Sequence, residues 1–95
     1  MRYLHSMVRI SSVDDSLYFY CDLLGLKLIK TIENVSGRFT IYFLCTSDDR
    51  KKYDETRSPA LELTYNWDAE NYIISRNFGH LAYRVDDIYE ICEKL

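Results

Sequence analysis

Ninety-five residues, 47% hydrophobic and 28% charged, have the ordinary balance of a single globular domain and exclude a disordered chain. With a net charge of −3 and its twelve Lys and Arg residues scattered, the chain offers no basic stripe to nucleic acid. No apolar run approaches the roughly 18 residues of a membrane helix, and the chain opens in a strand-like pattern rather than a basic and then apolar leader, so a soluble, cytoplasmic protein is expected.

Alternation predicts a first strand over residues 2–10, with Tyr3, His5, Met7 and Arg9 on one face and Leu4, Ser6, Val8 and Ile10 on the other. His5 and Arg9 therefore share a face. Ser11-Ser12-Val13-Asp14-Asp15 then supplies cap residues and sets acidic groups at the positive end of a helix dipole. A helix is predicted over 14–24, because Leu17, Tyr20, Cys21 and Leu24 fall at the spacing of a buried stripe and Gly25 stands where a left-handed residue ends a helix.

Residues 26–32 and 39–45 carry β-favouring side chains on either side of the turn-like 33–38, and they read as a hairpin. Residues 47–58 are polar and highly charged, and a solvated loop is expected there, closed by Pro59. The strand over 61–67 follows, then a turn of helix near 68–72 and a further strand over 79–85. Asp86 and Asp87 cap a second helix in which Ile88, Ile91, Cys92 and Leu95 repeat the buried spacing. Cys21, Cys45 and Cys92 are odd in number and far apart, with no Cys-x-x-Cys, and read as small buried hydrophobes in a reducing compartment.

Chemistry is concentrated in Leu61-Glu62-Leu63-Thr64-Tyr65-Asn66-Trp67, whose alternation puts Leu61, Leu63 and Tyr65 on one face and Glu62, Thr64 and Asn66 on the other. An ionised carboxylate in such a run needs a partner, since burying it bare is strongly unfavourable. The two histidines, His5 and His80, both sit near the start of β-like runs. Together with Glu62 they make a nitrogen and oxygen shell suited to zinc, nickel or a similar divalent ion. Packed or surface histidines would show the same spacing.

A repeat links the two ends of the chain. His5-Ser6-Met7-Val8-Arg9-Ile10 aligns without gaps on His80-Leu81-Ala82-Tyr83-Arg84-Val85, and Val13-Asp14-Asp15 matches Val85-Asp86-Asp87 ahead of each helix. Residues 1–75 read as a β-α-β-β-β module and residues 76–95 as the strand and helix that begin a second. A striped helix needs a sheet beneath it, so the second module is expected to be completed by sequence outside this stretch or by a partner chain.

These motifs resemble glyoxalase I, the lactoylglutathione lyases of the vicinal oxygen chelate superfamily. The resemblance covers essentially the whole chain: Leu4 to Arg9, Ser16 to Tyr20, Leu24-Gly25-Leu26-Lys27-Leu28, Leu61 to Trp67, and Phe78-Gly79-His80-Leu81-Ala82. It implies an α+β fold of paired β-α-β-β-β modules, of the glyoxalase, bleomycin-resistance and dihydroxybiphenyl-dioxygenase type, the second module incomplete here. It also implies a homodimer with active sites shared between subunits and a bound nickel, zinc or cobalt ion.

The implied reaction converts the hemithioacetal of methylglyoxal and glutathione into S-lactoylglutathione through an ene-diolate, with the metal as Lewis acid. By matching motif, His5, Glu62 and His80 would be metal ligands, and Arg9, Asn66 and Arg76 would hold glutathione. Arg9 and Asn66 each stand four residues beyond a ligand on the same strand face, about 13 Å at roughly 3.3 Å per residue. The family's base, a second glutamate on a late strand, has no counterpart, and Glu90 and Glu93 fall on a helix. An inactive relic and a ligand-binding module of the bleomycin-resistance kind are the alternatives.

Overall fold

The computed structural model describes every residue except Ala69 and Ile74. In chain order it contains β1 (His5–Ile10), α1 (Val13–Leu17), a π-helical turn (Tyr18–Leu23), β2 (Lys27–Asn34), β3 (Phe39–Cys45), α2 (Arg50–Thr56), β4 (Ala60–Asn66) and α3 (Ile88–Lys94). The four strands form one sheet in the order β1-β4-β3-β2. β4 lies parallel to β1 and antiparallel to β3, and β2 and β3 make the expected hairpin. The class is α+β, as the sequence predicts.

One sheet face is covered and the other is open, and alternation decides which residue goes where. Ile10, Leu26, Leu44, Leu61 and Leu63 form the buried cluster, with Leu44 and Leu63 fully enclosed. Val13, Leu17, Tyr20, Cys21 and Leu24 lie on it from the helical segment, so the predicted stripe does face the sheet. The Ser12 hydroxyl accepts from the Asp15 amide at 3.2 Å, and Asp14 and Asp15 occupy the first turn. Beyond Leu17 the helix widens: the Leu24 amide donates to the Phe19 carbonyl, five residues back, at 3.0 Å. Gly25, at φ 81°, then reverses the chain and delivers Leu26 into the core.

The far end of the hairpin is tied to the end of β4. Arg38 donates to both carboxylate oxygens of Asp68, at 3.0 and 2.9 Å, and its guanidinium lies 5.9 Å from the Trp67 ring centroid. The Trp67 indole in turn donates to the buried Thr40 hydroxyl at 2.8 Å.

Several expectations are corrected. The first strand begins at His5, not residue 2, and the ladder opens with the Ala60 amide donating to the Leu4 carbonyl at 3.0 Å. The charged segment expected as a loop forms α2, a helix built from polar side chains. Arg50 pairs with Asp54 and Lys51 with Glu55 one turn on, at 3.1 and 3.9 Å, and Arg57 ends the helix at φ 56°. No helix forms over 68–72 among the described residues. Residues 79–85 are irregular, for no strand of the sheet pairs with them.

α3 does form, with the Asp87 carboxylate accepting from the Tyr89 and Glu90 amides at 2.9 and 3.2 Å. Its apolar stripe is not buried: Ile88, Cys92 and Leu95 are exposed and Ile91 is half-buried. Cys92 is therefore not the buried hydrophobe expected, whereas Cys45 is. The two halves of the repeat also use their aspartates differently, within the first turn of α1 and as the cap itself in α3. Among the described residues no helix is long and apolar enough to cross a membrane.

Candidate functional site

The open face carries His5, Met7 and Arg9 from β1 beside Glu62, Thr64 and Asn66 from β4, with Phe39, Ile41 and Phe43 from β3 and Lys30, Ile32 and Asn34 from β2 completing it. Toward one end of this face His5 Nε2 lies 2.7 Å from a Glu62 carboxylate oxygen. The Thr64 hydroxyl donates to the other oxygen at 3.2 Å. Glu62 is only 8% exposed, so the carboxylate that the sequence requires to have a partner has two. Phe43 meets the His5 ring edge to face at a centroid distance of 5.5 Å and limits its rotation. Sequence reasoning placed Thr64 on the face of Glu62 without giving it a role, and Phe43 becomes a neighbour of Glu62 only through the β3–β4 register.

Four residues further along each strand the same face presents Arg9 and Asn66. Arg9 is exposed and forms no ion pair among the described residues. The Asn66 amide donates to the Tyr72 hydroxyl at 3.2 Å. His80 and Arg76 are exposed and lie in the irregular stretch after β4. The structure thus brings together His5 and Glu62 of the expected ligands, with Arg9 and Asn66 along the same face, and leaves His80 and Arg76 outside.

Imidazole nitrogen and carboxylate oxygen are donors that a small divalent ion takes at about 2.0 to 2.2 Å, so the His5–Glu62 pair fits such an ion in kind; at 2.7 Å the two groups are in direct hydrogen-bond contact and would move apart to admit it. It fits as part of a shell, because no group of three His, Cys, Asp or Glu side chains among the described residues is arranged to hold one. The cysteines do not extend it. Burial pushes the Cys45 and Cys21 thiols above their ordinary range, away from the thiolate a metal prefers.

Residues 2–95 match the family described as the Glyoxalase/Bleomycin resistance protein/Dioxygenase superfamily. The chain belongs to this superfamily. It is 44% identical over all 95 residues to a lactoylglutathione lyase of Neisseria meningitidis serogroup A, of whose length it covers 64%. It is 39% identical over 92 residues to a probable lactoylglutathione lyase of Synechocystis, covering 97% of this chain and 66% of that one. Among solved structures the trypanothione-dependent glyoxalase I of Leishmania major superposes with a TM-score of 0.84 at 32% identity, over 98% of this chain and 63% of that one. The chain therefore spans about two thirds of the length of these superfamily members.

Proposed function

We propose that this chain forms part of a glyoxalase I, isomerising the hemithioacetal of methylglyoxal and glutathione to S-lactoylglutathione in a methylglyoxal-detoxifying cytoplasmic enzyme. The single observation that carries the proposal is the His5–Glu62 pair at 2.7 Å on an open sheet face that also presents Arg9 and Asn66. Residues 1–75 are the first module and 76–95 the opening of a second. His5 and Glu62 of one protomer, with His80 of a second copy, hold a divalent ion, nickel or zinc in first place and cobalt in second.

When bound, such an ion supplies Lewis acidity to the oxygens of the substrate and makes the adjacent C–H more acidic. The chain's own residues divide the remaining work. Glu62 and His5 provide the anionic and neutral donors, and Thr64 and Phe43 hold them in orientation. Arg9 and Arg76 fork onto the glutathione carboxylates, and Asn66 offers donor and acceptor to its peptide groups. Proton transfer between the two carbons requires a base, typically contributing about 10² to 10⁴ fold. Glu90 and Glu93 are exposed on α3, and we assign that base to the part of the relatives' length that this chain does not span.

The absence of a second carboxylate beside His5 and Glu62 among the described residues favours one further reading, a binding module that takes metal and ligand without turnover. The deciding experiment loads the whole protein of which this chain is proposed to be part with nickel or zinc and follows the hemithioacetal absorbance against thioester formation. Thioester formed in proportion to protein supports the isomerase. Metal and glutathione uptake without thioester supports the binding module, and uptake of neither removes both.

A further inference from the structure

The open face is laid out in a line. Ala60 and His5 stand in register at one end, Arg9 and Thr64 further on, and Asn66 ends β4 beyond them. If the tripeptide arm extends toward Arg9 and Asn66 from a reacting centre at His5 and Glu62, the other substituent of the reacting carbons is directed past His5 the opposite way.

A cavity of about 290 Å³ opens beside His5, running from Leu4, Ala60 and Arg57 at that end across the sheet to Lys30 and Phe43, which stand level with Glu62. Ile32, Phe43 and Tyr53 give it apolar walls, and Lys30 and Arg57 add two cations. Lys30 is in register with Phe43 on the hairpin, and Arg57 is the left-handed residue that ends α2. The Arg57 guanidinium lies 5.3 Å from the Tyr53 ring centroid, which restrains it over the cavity.

The charge at this cavity is unbalanced. On the neighbouring helix Arg50 and Lys51 are matched by Asp54 and Glu55, but Lys30 and Arg57 have no carboxylate partner among the described residues. No Asp or Glu lines the cavity. Its volume stands at the low end of small-molecule pockets, roughly 300 to 1,000 Å³, and far exceeds the needs of one methyl group. A short carbon stem would meet the apolar walls and an anionic tip would meet both cations.

We infer that this cavity selects 2-oxoaldehydes whose substituent ends in a carboxylate, so that methylglyoxal is a minimal substrate and an anionic oxoaldehyde a better-fitted one. The inference rests on the isomerase reading above for the direction of the glutathione arm, and the chemistry of the isomerisation is unchanged.

The test is calorimetric and independent of turnover. The full chain, loaded with zinc, is titrated with S-benzylglutathione and with S-(4-carboxybenzyl)glutathione. The carboxylated ligand is expected to bind about fivefold more tightly at low salt, the advantage shrinking as salt rises. A Lys30→Gln, Arg57→Gln variant should lose that advantage while binding S-benzylglutathione as before. Equal binding of the two ligands by the unaltered chain, or an advantage that survives the double substitution, overturns the inference and leaves the proposed function standing. Failure to bind either ligand removes the glutathione reading and this inference with it.

Discussion

His5 and Glu62 touch diagonally. The register partner of His5 across the parallel β1–β4 ladder is Ala60, and that of Glu62 is Met7, yet His5 Nε2 and the Glu62 carboxylate are 2.7 Å apart. The small Ala60 side chain leaves the space over which the imidazole leans toward the next same-face residue of β4. The site's central contact is thus a property of strand register, and a one-residue slip would send Glu62 into the apolar layer beneath.

Removing the imidazole should therefore be felt by the fold. His5→Ala leaves the buried Glu62 carboxylate with Thr64 alone and is expected to cost about 1 to 3 kcal/mol, read from a urea midpoint at constant slope. Adding Glu62→Gln to that variant should recover part of the loss, because the amide carries no charge to strand. A double variant no more stable than His5→Ala would show that the contact contributes nothing through charge.

Metal uptake separates the ligand roles from this structural one. Glu62→Gln and His80→Ala should each abolish stoichiometric nickel or zinc uptake, measured by mass spectrometry of dialysed protein, while the far-ultraviolet spectrum stays unchanged. His80 is exposed, so its substitution should leave the urea midpoint within about 0.5 kcal/mol. Retention of one equivalent of metal by either variant would disprove the assigned ligand set.

Trp67→Phe keeps most of the ring but removes the donor to Thr40, a residue only 4% exposed. The expected cost is about 1 to 2 kcal/mol. Asn66 precedes the anchor, so glutathione-analogue binding should weaken as well. An unchanged midpoint would mean that Thr40 finds another partner.

The Arg38–Asp68 pair predicts a titration. The guanidinium, first through its hydrogen bonds and then through its charge, holds the Asp68 carboxyl below its ordinary range. A group whose folded-state value is depressed stabilises above the ordinary carboxylate range and loses that contribution as pH falls through the folded value. Both side chains are exposed, so salt screens the effect. Carbon-detected NMR should show Asp68 titrating at lower pH than exposed aspartates and returning to their range in Arg38→Gln. A titration that does not move would break the assignment.

Much of the site face was legible from alternation alone, since His5, Arg9, Glu62 and Asn66 are placed by a period of two that the sheet enforces. The helical stripe was legible for the same kind of reason, although Leu17, Tyr20, Cys21 and Leu24 suit an α-helix and a π-turn alike, and only the Leu24–Phe19 hydrogen bond distinguishes them. α2 was missed because its stability comes from i,i+4 charge pairs and one half-buried Tyr53, with no apolar period to read. Residues 79–85 have a strand's composition, but a strand exists only against a ladder partner, and composition does not supply one.

β1 is an outer strand, bonded to β4 along one side only. His5 occupies its first position, whereas Glu62 sits on an interior strand with neighbours on both sides. The imidazole thus belongs to the part of the sheet that frays first, and the carboxylate to a part that opens late. Mild warming or denaturant would separate these two groups while the hydrophobic layer is still intact, so the His5–Glu62 contact would be lost below the melting point.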